Sequence, residues 1–483
     1  MMEIYMKKKF VIGGICFLIG AVAAFFGVQY VLKTGVFKIP GKVLFADEIL
    51  DSEAEKYRVA LGEVELEKDV VFSEFYGDYG SDAMVTDVLV PVADFDEPKE
   101  SITAAEFEER LASGEGVRSV LKLDETAKLL AVDGEYYLET FTTGAKYKYL
   151  RVAGENDEDV RKVVELVRPT LPELPSKETV LSFTQTGVTA LARGMNAKMA
   201  EVGSGAYFAE PIAEYLKKFD LTHTSNESSF SAYASSSNIC SDGRFVETLT
   251  SIGLDVVELT GNHNVDCGAG DAIAAYEKYQ ELGIKTVGGG RNATEAEVPL
   301  QLSQKGTSIT MLAYNQSTGG ATTGDYPGAN QYYEENARTR ISEAKARGDF
   351  VIVDVQFNEC NFYDDVNENT YCDRADSAPG DQVGLFRTLI DMGADVVVGT
   401  SAHQTQTYER YNNGEIYYGL GNIFFDQIWW PGTTRSLGLT HYFWKGKLLQ
   451  TRRFGTIYDA SYQTRLMNTE EIEWFINRLN QAR

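Results

Sequence analysis

The sequence predicts an α/β protein in which an N-terminal transmembrane helix precedes a small α/β domain and a larger α/β domain. An uncharged apolar stretch runs from Phe10 to Leu32, and mixed strand and helix patterns fill residues 48–168. From residue 180 onward, apolar strands rich in β-branched residues alternate with helical segments. Such an alternation is typical of a sheet covered by helices on its faces.

Several segments of the larger domain illustrate this alternation. A helix predicted over Glu334–Ala346 leads to a strand over Phe350–Val355, and a helix over Leu385–Met392 leads to a strand over Asp395–Val398. The same reasoning predicts one continuous helix over Tyr207–Phe219. We therefore expect parallel strands joined by helical crossovers.

The transmembrane prediction rests on the length of the apolar stretch and on the lysines Lys7–Lys9 before it. A helix rises about 1.5 Å per residue, so the stretch reaches roughly 35 Å, enough to cross a bilayer. The lysines should keep the N-terminus in the cytoplasm and place the bulk of the protein outside, as a single-pass protein of the cell membrane. A cleaved signal peptide is the alternative, with a small-residue site at Ala21–Ala23, although the apolar stretch continues beyond that site.

The net charge of −26 limits the classes of partner. Nucleic acid is excluded, because phosphate binding needs clustered Lys and Arg side chains. The same charge disfavours a long polyanion unless a local basic patch or divalent cations intervene.

Composition divides the chain into segments. Three prolines between Pro169 and Pro175 predict a stiff connector, and the small domain before it contains no His or Cys. The predicted segments are a cytoplasmic tail (1–9), the transmembrane helix (10–32), a stalk (33–47), the small α/β domain (48–168), a proline-rich linker (169–179), the main domain (180–467) and a C-terminal helix (468–483).

Polar side chains follow the apolar strands of the main domain. Glu227 follows one strand, Asn262, His263 and Asp266 follow the next, and His403 follows a later one. Because ligands bind beyond the carboxyl ends of strands in open α/β sheets, we expect these residues to converge in one pocket. Their nitrogen and oxygen atoms suit divalent metals and proton transfer, although Asn and Asp after strands are also ordinary turn residues.

The two remaining histidines, His223 and His441, lie within predicted strands, and we interpret both as structural. Four cysteines follow the apolar stretch, and disulfides are expected outside the cytoplasm. Cys360 and Cys372 bracket a polar loop and are predicted to pair. Cys240 and Cys267, near the Glu227 and His263 loops, form the second predicted pair.

Between about Val180 and Gln427 the sequence resembles the CapA family of capsule and poly-γ-glutamate synthesis proteins. The motifs that carry the resemblance are Asn226-Glu227, Asp255 to Gly268, Gly288-Gly-Gly290 with Glu295, Ala296 and Pro299, Gly393 to His403, and Ile416 to Asp426. The resemblance implies a metallophosphoesterase-like two-sheet sandwich flanked by helices. It also implies an envelope polymer or the capsule-synthesis machinery as the partner, besides the membrane contacted by residues 10–32.

The resemblance also implies roles for the pocket residues. Glu227, Asn262, His263 and His403 match metal-ligand positions, and His263 and Asp266 match catalytic positions. The sequence departs from the family at three places, where acids or imidazoles are expected: Thr186-Gly187, Gln356 and Ser401. We therefore expect at most one divalent ion, Zn or Mn, with a metal-free polar pocket as the alternative.

The predicted function is capsule or poly-γ-glutamate biosynthesis outside the cytoplasm. The alternative is a hydrolase at the cell envelope that uses a divalent metal to cleave a phosphoester or a γ-glutamyl amide. The sequence leaves open whether the protein is an enzyme, since the retained Asn262, His263 and His403 favour chemistry and the missing ligands favour binding alone.

Overall fold

The computed structural model describes residues 41–81, 83–317, 319–360, 363 and 371–483. The strands are β1 (Val43–Phe45), β2 (Val70–Gly77), β3 (Met84–Asp94), β4 (Ser101–Ile102), β5 (Val117–Ser119), β6 (Ala127–Leu129), β7 (Ala131–Val132), β8 (Lys146–Gly154), β9 (Val180–Thr189), β10 (Leu221–Asn226), β11 (Val256–Glu258), β12 (Lys285–Val287), β13 (Gly289–Gly290), β14 (Leu300–Gln304), β15 (Thr307–Asn315), β16 (Gly328–Ala329), β17 (Phe350–Gln356), β18 (Val396–Gly399), β19 (Tyr408–Tyr411), β20 (Gly414–Tyr417), β21 (Asn422–Phe424), β22 (Arg435–Trp444), β23 (Lys447–Ile457) and β24 (Arg465–Leu466). The α-helices are α1 (Asp51–Leu61), α2 (Ala104–Ser113), α3 (Tyr137–Thr140), α4 (Asp157–Val167), α5 (Gly194–Val202), α6 (Ala206–Ala209), α7 (Ala213–Leu216), α8 (Val246–Ser251), α9 (Ala269–Glu281), α10 (Ala293–Ala296), α11 (Glu334–Arg347), α12 (Gln382–Asp391) and α13 (Thr469–Gln481). Short 3-10 helices cover Val120–Lys122, Arg168–Thr170, Gly243–Phe245, Tyr371–Asp373 and Pro431–Thr434.

The fold class predicted from the sequence needs one correction. The described residues form a mixed α/β structure with several sheets, and none of their helices is long and apolar enough to cross a membrane. The longest of them, α11, has 14 residues. At about 1.5 Å per residue it rises roughly 21 Å, short of a bilayer core of about 30 Å. The structure thus gives no support to an N-terminal transmembrane helix, which was predicted for residues 10–32, outside the described residues.

The chain divides into two compact units. One comprises the described residues up to Asp87 together with Tyr147–Glu173, and the other comprises Val88–Lys146 and Leu174–Arg483. Residues 48–168, predicted as one small domain, are shared between both units. The domain boundaries predicted from the sequence stay predictions.

The smaller unit packs two helices against a short sheet. Strand β1 pairs in parallel with β2, which pairs antiparallel with β8. Tyr57 of α1 and Val163 of α4 pack with Phe72 and Leu150 from the strands into one apolar core. The Oδ2 atom of the buried Asp159 accepts hydrogen bonds from the backbone N–H groups of Glu67 and Lys68, each at 2.8 Å, which connects α4 to the segment before β2.

The larger unit is built on two sheets. The eight-stranded sheet has the order β12-β11-β10-β9-β22-β23-β24, with β21 also paired to β9. The six-stranded sheet has the order β14-β15-β17-β18-β20-β19. Strands β9 to β12 are parallel to one another, as are β15, β17, β18 and β20. This confirms the predicted βα alternation.

Three apolar layers hold these sheets together. Phe183 and Leu439 of one sheet meet Ile352 and Val396 of the other in a shared core. Helices α5 to α9 cover the outer face of the eight-stranded sheet, and α11 and α12 cover the outer face of the six-stranded sheet. Successive side chains of a strand point to opposite faces, so a strand covered on both sides, such as β18, is apolar on both faces.

The predicted elements agree with the structure within a few residues, with one exception. The sequence predicts a continuous helix over Tyr207–Phe219, but the structure has two short helices, Ala206–Ala209 and Ala213–Leu216. Pro211 lies between them. Proline lacks a backbone N–H and disfavours helical geometry in the residue before it, so the helix breaks there.

Candidate functional site

The carboxyl ends of parallel strands from both sheets bring polar side chains together. Glu227 follows β10, Asn262 follows β11, Gln356 ends β17 and His403 follows β18. The Gln356 side-chain amide donates to Glu227 Oε1 at 3.2 Å and to Asn262 Oδ1 at 3.1 Å. One amide therefore joins the ends of three strands, and we call the group formed by Glu227, Asn262, Gln356 and His403 the polar pocket.

Glu227 is a fully buried acid of the polar pocket. Its Oε2 has no hydrogen-bond partner among the described residues. Burial raises the pKa of the Glu227 carboxyl, and the neighbouring His403 and His263 offset only part of that rise. An unsatisfied buried oxygen is costly, so this atom marks the place where a bound group would be recognised.

Gly261 allows the loop after β11 to approach Glu227. A Cβ atom at this position would lie 2.6 Å from the Glu227 Cα, closer than real side chains come. Only glycine therefore fits at the turn that delivers Asn262 and His263 to the polar pocket.

His403 is held as a charged imidazolium at the edge of the polar pocket. Its Nδ1 lies 2.8 Å from Asn422 Oδ1, and its Nε2 lies 3.4 Å from Glu359 Oε1. Burial opposes the charged ring, but the Glu359 carboxylate outweighs burial and raises the His403 pKa to about 9. Conversely, burial would raise the Glu359 pKa, but His403 outweighs it and lowers the value to about 2.

His263 and Asp266 form a pair near the mouth of the site. His263 Nδ1 lies 2.6 Å from Asp266 Oδ2, and both side chains are partly exposed. An ionised carboxylate only accepts hydrogen bonds, so Nδ1 carries the proton and Nε2 is the basic nitrogen. The pair can therefore accept a proton at Nε2, which suits the proton-transfer role predicted for it.

Both predicted disulfides are present, and each secures a loop of the site. Cys240 pairs with Cys267, one residue after Asp266, and Cys360 pairs with Cys372, with Cys360 one residue after Glu359. The Cα atoms of each pair are 5.8 Å apart. The two pairings predicted from the sequence are confirmed.

The predicted metal ligands contact neighbouring side chains. In the part of the chain that the structure describes, no group of three His, Cys, Asp or Glu side chains is placed to hold one. Both ring nitrogens of His403 face acceptors, and a Gln356 N–H group lies between the oxygens of Glu227 and Asn262. The divalent ion and the catalytic and ligand roles stay predictions.

His223 and His441 lie in the core between the two sheets, as their structural interpretation implies. His223 Nε2 is 3.1 Å from Asp354 Oδ2, and His441 Nε2 is 3.0 Å from Gln185 Oε1. The Gln185 amide donates to Asp354 Oδ1 at 3.1 Å and so connects the two histidines. Burial, with His223 nearby, lowers the His441 pKa to about 3, so this ring stays neutral.

Sequence reasoning missed two residues of the site. Glu359, three residues after β17, was not among the predicted site residues, although it pairs with His403. Gln356 was treated only as a missing imidazole, whereas its amide is the link between Glu227 and Asn262. The available signal was their position at the carboxyl end of an apolar strand, where Gln356 is the last residue of β17 and Glu359 follows it.

Two curated proteins are similar to this chain over about two-fifths to half of its length. The capsule biosynthesis protein CapA of Bacillus anthracis is 24% identical over 264 residues, which cover 52% of this chain and 61% of that protein. The PGA biosynthesis protein CapA of Bacillus subtilis (strain 168) is 28% identical over 201 residues, 41% of this chain and 49% of that protein. The matches thus span about half to three-fifths of these relatives.

The match to a solved structure is weak. The crystal structure of TT1561 of Thermus thermophilus matches 60% of this chain and 100% of its own at 10% identity, with a TM-score of 0.29, too low to carry an argument.

The family model described as bacterial capsule synthesis protein PGA_cap matches residues 182–427, just over half of the chain. The resemblance found in the sequence is confirmed, and the chain belongs to the PGA_cap family of bacterial capsule synthesis proteins.

Proposed function

We propose that this protein acts outside the cytoplasm in the synthesis of a capsule polymer, and that it binds part of that polymer or its precursor in the polar pocket. One observation carries the proposal: the segment matched by the family model, 182–427, contains every side chain of the polar pocket. The two disulfides support a place outside the cytoplasm, since such bonds persist in oxidising compartments.

The polar pocket offers the chemistry of a binding site for polar groups. Glu227 Oε2 is a buried atom without a partner among the described residues, Asn262 adds an amide, and His263 adds a basic nitrogen held by Asp266. Sites of this kind fix the orientation of a ligand through a few converging polar groups. The metal-dependent hydrolase considered from the sequence has no comparable support, because the Gln356 amide already bridges Glu227 and Asn262.

Deleting the coding sequence from the bacterium that encodes it tests the proposal. Capsule polymer released from washed cells should fall sharply in the deletion strain and return when the full-length chain is supplied on a plasmid. A deletion strain that makes the normal amount of polymer would overturn the proposed function.

A further inference from the structure

Three aromatic side chains form a row beside the polar pocket, which we call the aromatic strip. It consists of Tyr363, Trp430 and Trp429. The rings of Tyr363 and Trp430 lie 5.4 Å apart, and those of Trp430 and Trp429 lie 5.7 Å apart. Trp429, at the outer end, is 55% exposed, which is an unfavourable place for so large an apolar side chain.

The aromatic strip is continuous with the polar pocket. The Tyr363 hydroxyl donates to Glu359 Oε2 at 3.2 Å, and Glu359 pairs with His403. The Tyr363 ring also lies 6.2 Å from the His403 ring. A ligand lying along the strip would therefore reach the carboxylate and imidazolium groups at its inner end.

The segment that carries the two tryptophans is held in place. Thr433 donates from its N–H at 3.1 Å and from its hydroxyl at 2.8 Å to the Trp430 carbonyl oxygen. The Thr433 carbonyl in turn accepts from Asn422 Nδ2 at 3.1 Å and from the Tyr458 hydroxyl at 2.9 Å. Asn422 also holds His403, so one residue positions both the strip and the pocket. Such preorganisation lowers the entropic cost of binding.

The charged groups near the aromatic strip are paired with one another. Glu359 lies 3.4 Å from the His403 imidazolium, and Asp426 accepts a hydrogen bond from Arg193 Nε at 3.1 Å. Arg193 also lies over the Phe425 ring. Because these two cations are already engaged and the protein carries a net charge of −26, a polyglutamate chain and an anionic lipid surface are both disfavoured.

We propose that the aromatic strip binds a neutral glycan chain, with sugar rings stacked on Trp429 and Trp430 and hydroxyl groups hydrogen-bonded to Glu359. Aromatic faces present a flat apolar surface, which matches the C–H face of a pyranose ring. A carboxylate accepts hydrogen bonds and so suits sugar hydroxyls. This inference rests on the proposed function and names the polymer class that the site contacts: a polysaccharide rather than a polypeptide.

Binding of defined probes to the full-length protein tests the proposal. Tryptophan fluorescence and calorimetry would be measured with neutral hexasaccharides of glucose, galactose and N-acetylglucosamine, with poly-γ-glutamate, and with phosphatidylglycerol vesicles. We expect at least one hexasaccharide to bind, and Trp429→Ala to weaken that binding by about tenfold or more. Trp474→Ala, which removes another exposed tryptophan, on α13, is the matched control and should leave binding unchanged.

Three outcomes would overturn the glycan proposal: no hexasaccharide binds, binding is insensitive to Trp429→Ala, or poly-γ-glutamate or vesicles bind through Trp429 instead. These outcomes are distinguishable from failure of the proposed function, which the deletion strain reports separately. Loss of capsule polymer on deletion together with no glycan binding would leave the proposed function standing and remove only the glycan.

Discussion

The buried carboxyl group of Glu258 is expected to make protein stability depend on pH in a way that one substitution removes. Glu258 ends β11, is fully buried and accepts a hydrogen bond from the Thr260 N–H. Burial raises its pKa from 4.5 to about 7, and the nearby Asp354 carboxylate adds to the rise. The neutral carboxyl is therefore the form that the folded core favours.

The sign and size of the effect follow from this raised pKa. A folded-state pKa above the unfolded value gives stability that is fully present below pH 4.5 and is lost as the pH rises through about 7. At about 1.4 kcal/mol per pH unit, the unfolding free energy should fall by roughly 3 kcal/mol across this window on account of Glu258.

Urea unfolding of the full-length chain between pH 4.5 and 8 measures the effect. Glu258→Gln keeps an oxygen acceptor for the Thr260 N–H but does not titrate, so wild-type stability relative to the variant should fall by about 3 kcal/mol with rising pH. Glu281→Gln is the matched control, because the Glu281 side chain is 69% exposed and makes only a surface ion pair. Parallel pH curves for wild type and Glu258→Gln would refute the reasoning.

Three further predictions follow from the site. Gly261→Ala should lower the free energy of unfolding in urea by about 2 kcal/mol or more, because its Cβ would meet the Glu227 backbone. Gly270→Ala is the control and should not destabilise the protein, because nothing lies within 4 Å of its Cβ position. Equal effects of the two substitutions would contradict the close approach at Gly261. The double substitution Cys360→Ser and Cys372→Ser should lower the free energy of unfolding by about 3 kcal/mol relative to oxidised wild-type protein. After reduction, variant and wild type should be equally stable. Equal stability of variant and wild type under oxidising conditions would contradict the disulfide. Gln356→Glu replaces the amide that bridges Glu227 and Asn262 with a carboxylate. Electron paramagnetic resonance should then show Mn²⁺ binding that is about tenfold tighter or more. Unchanged affinity would show that the amide does not exclude a cation.

The fold of the larger unit could be predicted because several of its strands, such as Val396–Gly399, are apolar on both faces. Strand Phe350–Gln356 and helix Glu334–Arg347 lie within a residue of their predicted bounds. Their pattern is local, so the sequence carries it directly. The break in the helix at Pro211 was missed because the apolar pattern continues across this position. Proline does not fit a helix interior, so the structure has two short helices there.

The candidate site was only partly predictable. The rule that side chains past parallel strands converge was enough to suggest Glu227, Asn262 and His403 as neighbours. The link through Gln356 depends on how the two sheets face each other, which no local pattern encodes. The same holds for the contact between His223 and Asp354, two residues that belong to different sheets.

The measurement that tests the central claim most directly is the amount of capsule polymer made by a strain whose chromosomal copy encodes Glu227→Gln. Glutamine keeps the acceptor for the Gln356 amide but replaces the unpartnered buried oxygen at the centre of the polar pocket. The account predicts that polymer falls close to the level of the deletion strain while the protein level stays normal, and that Glu281→Gln has no effect. Normal polymer in the Glu227→Gln strain would contradict a role for the polar pocket in capsule synthesis.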